Sequence, residues 1–246
     1  MINQINSEWI KLKSVRSNIV MLLFAIGITL FFATVISIFS EGQQNISNAL
    51  IGLAISQTLF VVTGVQMIGQ EYRFGTIKTT FSATPNRLKV AVSKIIVLIL
   101  STGIASLILT VLSLGIAKLI LNIRDIPLDL TSSTSLRIMI FAILGSAAGA
   151  IYGYGIGAIV KQPVAGIIIS LIWMIIVENV ISGVTSLISK QKIHLDRWLF
   201  FTNYNSSISE KKFPGYFSPT ISFLYFLGFC IVLSIIGTIF VYKRDA

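Results

Sequence analysis

Six long apolar runs constrain this chain more than any other feature. They cover residues 19–39, 50–69, 95–117, 138–160, 163–182 and 220–242. Five carry no charge at all, and the fifth is interrupted only by Glu178. Each is 20 to 23 residues long, about 30 to 35 Å as a helix, which matches the hydrocarbon core of a bilayer. The runs lack the strict alternation of barrel strands, so helices are expected. Charged residues make up 11% of the chain, against about 25% in ordinary soluble domains. The expected fold is all-α and integral to a membrane, residues 1–246 forming a single transmembrane domain. The first run is too long for the core of a cleavable signal peptide, and no small-residue cleavage site follows it.

Basic residues set the expected orientation. Lys11, Lys13 and Arg16 precede the first run, and Arg73, Lys78, Arg87, Lys89 and Lys94 lie between the second and third. The segment between the first and second runs has no Lys or Arg. Both termini are therefore expected in the cytoplasm of a multi-pass cell-membrane protein. The net charge of +10 then reads as a topology signal and a docking surface, not as a sign of nucleic-acid binding. The single cysteine, Cys230, and single histidine, His194, exclude an internal disulfide and a Cys/His metal cluster.

Ile5, Trp9 and Leu12 recur at helical spacing. Residues 5–17 are expected to form a basic amphipathic helix lying in the membrane interface, with Trp9 inserted and Lys11 and Lys13 among headgroups. Asn6 or Ser7 would cap it. A simple topology anchor explains the same residues. In the segment 70–94, Phe74, Ile77 and Phe81 predict a short amphipathic helix, and Pro85-Asn86 a turn. The stretch 189–219 is the largest hydrophilic piece, yet it holds Trp198, Phe200, Phe201, Tyr204, Phe213, Tyr216 and Phe217. It reads either as an interfacial aromatic belt or as an outer gate.

Glu71-Tyr72-Arg73-x-Gly75-Thr76-Ile77, followed by Pro85 and a basic residue, resembles the cytoplasmic loop of type-two ABC exporter permeases. Ser7-Glu8-Trp9-x-Lys11-Leu12 resembles their amino-terminal elbow helix. Together with the six runs, the resemblance extends over essentially the whole chain. It implies a permease subunit in which segment 70–94 carries a coupling helix, with Glu71, Tyr72, Arg73, Gly75 and Thr76 on the surface that docks an ATP-binding subunit. It further implies short outer helices between spans five and six, and a second permease, identical or homologous. The sequence has no Gly-x-x-x-x-Gly-Lys-Ser/Thr phosphate loop, so ATP and Mg are expected on the partner chain and no cofactor on this one. The resemblance suggests export of an amphipathic or hydrophobic substrate such as an antimicrobial peptide or drug, a route to antibiotic resistance.

Gly145, Gly149, Gly153 and Gly157 repeat every four residues in the fourth run. Small residues at this spacing let two membrane helices approach closely. The spacing does not say whether the neighbour belongs to this chain or to another copy. Glu178 lies fifteen residues beyond Pro163, about 22 Å along a helix. It reads either as an acid facing substrate or a cation, or as the point where the fifth span ends and residues 179–189 fold back. The resemblance favours the second.

Other function classes fare worse. An intramembrane enzyme needs a catalytic constellation within the spans. The six runs contain no histidine and no acid besides Glu178, so no base stands ready to activate a serine. A non-catalytic membrane scaffold or an ATP-independent channel remains the alternative to a transport permease.

Overall fold

The computed structural model describes residues 2–40, 45–84, 86–188, 195–210 and 215–244. Among them there is no strand, and six helices are long and apolar enough to cross a membrane. Pro85 and Phe213 lie outside the described residues.

The chain opens with α1 (Ile2–Ser14). Val15 then adopts extended backbone, and α2 (Arg16–Phe39) turns into the bundle. The expected bounds 5–17 are thus shifted, and Asn6 and Ser7 sit inside α1 instead of capping it. A short α3 (Ile46–Ala49) leads to α4 (Ile51–Arg73). Gly75, at φ +70°, makes the sharp turn into α5 (Thr76–Ala83). That left-handed conformation is open to glycine at little steric cost. The Asn86 side chain accepts from Lys89 N at 3.0 Å and starts α6 (Arg87–Ile123). At 37 residues, α6 is about 55 Å long, well beyond the hydrocarbon thickness. Segment 70–94 is consequently helical through most of its length. α5 matches the amphipathic helix expected there, except that Phe74 belongs to the turn before it.

Ser132 caps α7 (Ser133–Val160), and Lys161 in the left-handed region reverses the chain. Pro163 opens α8 (Pro163–Leu171), which passes through a π-helical segment (Ile172–Val177) into α9 (Glu178–Ile188). A 3₁₀ turn (Leu195–Trp198) and α10 (Phe200–Ser207) follow, and α11 (Pro219–Arg244) is the last span.

Helices α4 and α7 are the most buried spans and pack on each other along the centre. α2, α6, α8 and α11 surround them. The surrounding helices turn large apolar side chains outward, such as Leu23, Phe24 and Phe31 on α2 and Val111 on α6. A bilayer covers such a surface; water would not. The first helix and the end of the last lie at the same end of the bundle, each tied to the segment around α5 and the start of α6: Thr84 Oγ1 donates to Gln4 Oε1 at 3.0 Å and Arg87 Nη1 to Tyr242 O at 3.0 Å. This is called the terminal end below. At the far end, Arg124 donates to the carbonyls of Ser37, Ile38 and Ser40 at 2.5–2.9 Å. Its guanidinium satisfies the open carbonyls at the end of α2 and complements the negative end of that helix.

Candidate functional site: an ion-paired junction at the terminal end

Four charged side chains converge where α1, α4 and α6 meet. The Lys94 ammonium lies 2.6 Å from Glu8 Oε2 and 2.7 Å from Glu71 Oε1. Lys11 Nζ lies 2.8 Å from Glu8 Oε1 and 3.0 Å from Glu71 Oε1, and 3.5 Å from Thr80 Oγ1 of α5. Two acids and two bases leave the quartet neutral. The Glu8 and Lys94 side chains are each only 1% exposed. Charges this deep persist only when paired and hydrogen-bonded. Burial pushes the Glu8 carboxyl up. The Lys94 charge and the hydrogen bonds from Lys11 and Lys94 outweigh that, and the net direction is down. Burial likewise pushes Lys11 down, but its bonds to Glu8 and the Glu71 charge prevail, and the net direction is up.

The quartet joins elements far apart in sequence. Glu8 and Lys11 share one face of α1 at i, i+3. Glu71 sits in the last turn of α4, and Lys94 in the third turn of α6. Ser17, Gln66 and Gln70 extend the polar seam from α2 to α4, with bonds of 3.0–3.3 Å. Such an arrangement holds no activated nucleophile or free base. What it does is fasten the turn leading to α5 to three other helices.

The residues singled out for coupling fall in two groups. Arg73, Gly75 and Thr76 are exposed, Tyr72 is half-buried, and Phe74 (69% exposed), Lys78 and Thr79 continue the same patch. Glu71 is different. Its carboxylate points inward to Lys94 and Lys11, so it does not belong to a docking surface. Lys11 also departs from expectation, since it bonds Glu8 and Glu71 instead of reaching outward. Trp9 is half-buried, with the Lys13 ammonium 5.2 Å from its ring centre. Glu8 and Lys94 escaped the sequence reading as site residues. The one available signal was a lysine just before a run of 23 uncharged residues.

The glycine stripe meets a helix of its own chain. A Cβ on Gly153 would overlap the Val61 carbonyl oxygen of α4. One on Gly157 would come within 2.7 Å of Val65 O, and one on Gly149 within 3.2–3.3 Å of Gln57 and Val61. Gly145 is covered by the Tyr204 ring of α10. Gly64 on α4 repays the approach, lying against the Ala150 carbonyl.

Glu178 neither ends its helix nor faces an open path. Its backbone is right-handed helical (φ −66°, ψ −39°) and the chain continues as α9, so the fold-back expected after it does not occur. Its carboxylate accepts from Phe201 N (3.1 Å), Thr202 N (2.7 Å), Thr202 Oγ1 (2.9 Å) and Trp173 Nε1 (3.1 Å). It caps the open amides and positive end of α10 from another helix. Around it, Phe200, Phe201 and Tyr204 are buried and pack on Tyr152, Phe226 and Phe229. These three form neither a headgroup belt nor a gate, because the rings fill the space between α7 and α11.

Comparison of the chain with protein-family models and with curated proteins finds no match.

Proposed function

We propose that the chain is the permease subunit of an ATP-driven exporter of the type-two ABC class. In this reading the terminal end is cytoplasmic and α5 is the coupling helix. The observation that carries it is the joining of an exposed patch to a buried lock. The patch runs from Arg73 to Thr79 at the turn into α5, and the Glu8–Lys11–Glu71–Lys94 quartet ties that turn to α1, α4 and α6. A push on α5 would then move three helices together, which suits rigid-body switching of access. The resemblance of segments 7–12 and 71–77 to elbow and coupling segments supports the same reading.

The ATP-binding subunit is a separate chain that supplies ATP and Mg, and a second permease completes the path. The substrate is amphipathic or hydrophobic. Charges on the described spans cluster toward helix ends, and Glu178, farther in, is occupied by α10. Co-purification of an ATPase with the native complex tests the assignment. In that complex Arg73→Ala/Thr76→Ala should leave ATP hydrolysis running while transport falls. Unchanged coupling in the double variant sinks the role of α5. A reporter fused after Ala246 and found outside the cell sinks the orientation.

A further inference from the structure

Among the described residues, only the fifth span carries a π-helical stretch, Ile172–Val177. Glu178 N donates to Trp173 O, five residues back, where an α-helix would use the carbonyl four back. The Trp173 side chain returns the contact, its Nε1 donating to Glu178 Oε1 at 3.1 Å. Asn179 Nδ2 donates to Ile175 O at 2.8 Å across the end of the stretch. In an α-helix, positions five apart point about 140° away from each other. The extra residue of a π turn brings them nearly onto one face. The bond from Trp173 to Glu178 therefore goes with the π register, and so does the direction from which Glu178 meets α10.

The two halves of the span are held differently. α8 packs on α4 and α7, and Met174 Sδ accepts from Thr58 Oγ1 of α4 at 3.7 Å. None of the six π-helical residues is buried. α9 packs chiefly on them and on the 3₁₀ turn, and its Val180, Val184 and Leu187 are exposed. The polar grip of this half on α10 runs through Glu178, which accepts from Phe201 N, Thr202 N and Thr202 Oγ1. Little packing opposes a turn of α9 about its own axis.

We propose that Ile172–Val177 is a swivel with two registers. In the π register, the one observed, Glu178 holds the amino end of α10. In the α register the same residues wind with four-back bonds, so α9 rotates by about 100° and advances about 1.5 Å. Glu178 then leaves Phe201 and Thr202, and α10 loosens between α7 and α11. Such a swivel lets the outer half of the fifth span move while α4 and α7 stay packed on each other.

Hydrogen exchange of the full chain in detergent, read at the Phe201 and Thr202 amides, tests this, with the α4 and α7 amides as the measure of intact folding. Trp173→Phe keeps a ring to stack on Phe200 and removes the Nε1 donor. It should quicken exchange at both amides about tenfold, the worth of one hydrogen bond to a charged group. Deletion of Ile176, an exposed residue within the π stretch, should do the reverse. Without the extra residue the span winds as an α-helix throughout, and Trp173 and Glu178 become neighbours at i, i+4. Glu178 then stays on α10 with no second register to enter, so exchange at Phe201 and Thr202 should be slower than in the unaltered chain. Equal or faster exchange in the deletion variant, or loss of α4 and α7 protection, overturns the swivel. In a span with a single register the deletion would only turn Glu178 about 100° off α10. Unchanged exchange in Trp173→Phe overturns it as well.

Discussion

Lys94 of α6 and Glu8 of α1 stand 86 positions apart in sequence and 2.6 Å apart in space, both out of contact with water. This pair is the tightest link of the quartet. Removing one member leaves the other charged and buried. For such losses about 3–5 kcal/mol is typical. Lys94→Met should therefore lower the unfolding midpoint of the detergent-solubilised protein strongly, and Glu8→Gln by less, since an amide still accepts a hydrogen bond. Thermal unfolding of both variants would show the order. An equal and small effect would contradict a buried lock.

The same junction predicts a stability window in pH. Glu8 titrates below its ordinary value of 4.5, so its contribution is present above that value and is lost as pH falls through the lowered one. Lys11 titrates above its ordinary 10.5, so its contribution is present below that value and lost as pH rises through the raised one. Proteolysis of α1 measured across pH should be slow in between and accelerate at both extremes. Glu8→Gln should flatten the acid limb and also weaken the basic one, because Glu8 is one of the partners that hold Lys11 up.

Two kinds of glycine should respond in opposite ways. Gly153→Ala places a methyl group on the Val61 carbonyl, and overpacking of this kind costs about 1–3 kcal/mol. Gly103 on α6 has nothing within 4 Å of its would-be Cβ. Gly103→Ala should be neutral or stabilise by up to about 1 kcal/mol through helix propensity. Unfolding of the two single variants side by side separates packing from propensity.

Glu178→Gln exchanges one acceptor oxygen for an NH₂ group. Because Thr202 N and Oγ1 both donate to Oε2 while Phe201 N and Trp173 Nε1 donate to Oε1, one pair must lose its acceptor. A buried donor left unmet costs about 1–3 kcal/mol. Hydrogen exchange at the Phe201 and Thr202 amides should quicken while α4 and α7 stay protected.

The spans were legible in the sequence because a bilayer demands long uncharged runs, and nothing else in a chain of this length produces six. α5 was legible from Ile77 and Phe81, whose spacing marks one helical face. The glycine period announced a close contact but could not name Val61 and Val65, since a period defines a face and leaves the neighbour open. The quartet was hidden. Lys11 and Lys94 read as ordinary topology charges, Glu71 as part of a docking surface and Glu8 as part of the elbow segment, and only the tertiary fold makes the four neighbours. Glu178 was visible as an anomaly, yet two of its partners are backbone amides, which every residue but proline carries and no sequence pattern flags.

The contact between α4 and α7 also restricts how the two helices can slide. Gly149, Gly153 and Gly157 recur every four residues, and so do Val61 and Val65 opposite them. A shift by one or two positions would drive a side chain into a carbonyl. Only a shift by a whole repeat, about 6 Å, brings glycine opposite carbonyl again, and even that would break the 3.2 Å bond from Gln57 to Gly145 O. Axial movement between the central helices is thus stepped, with no continuous glide. Any smaller motion of the bundle has to carry α4 and α7 as one piece and be taken up by the helices around them.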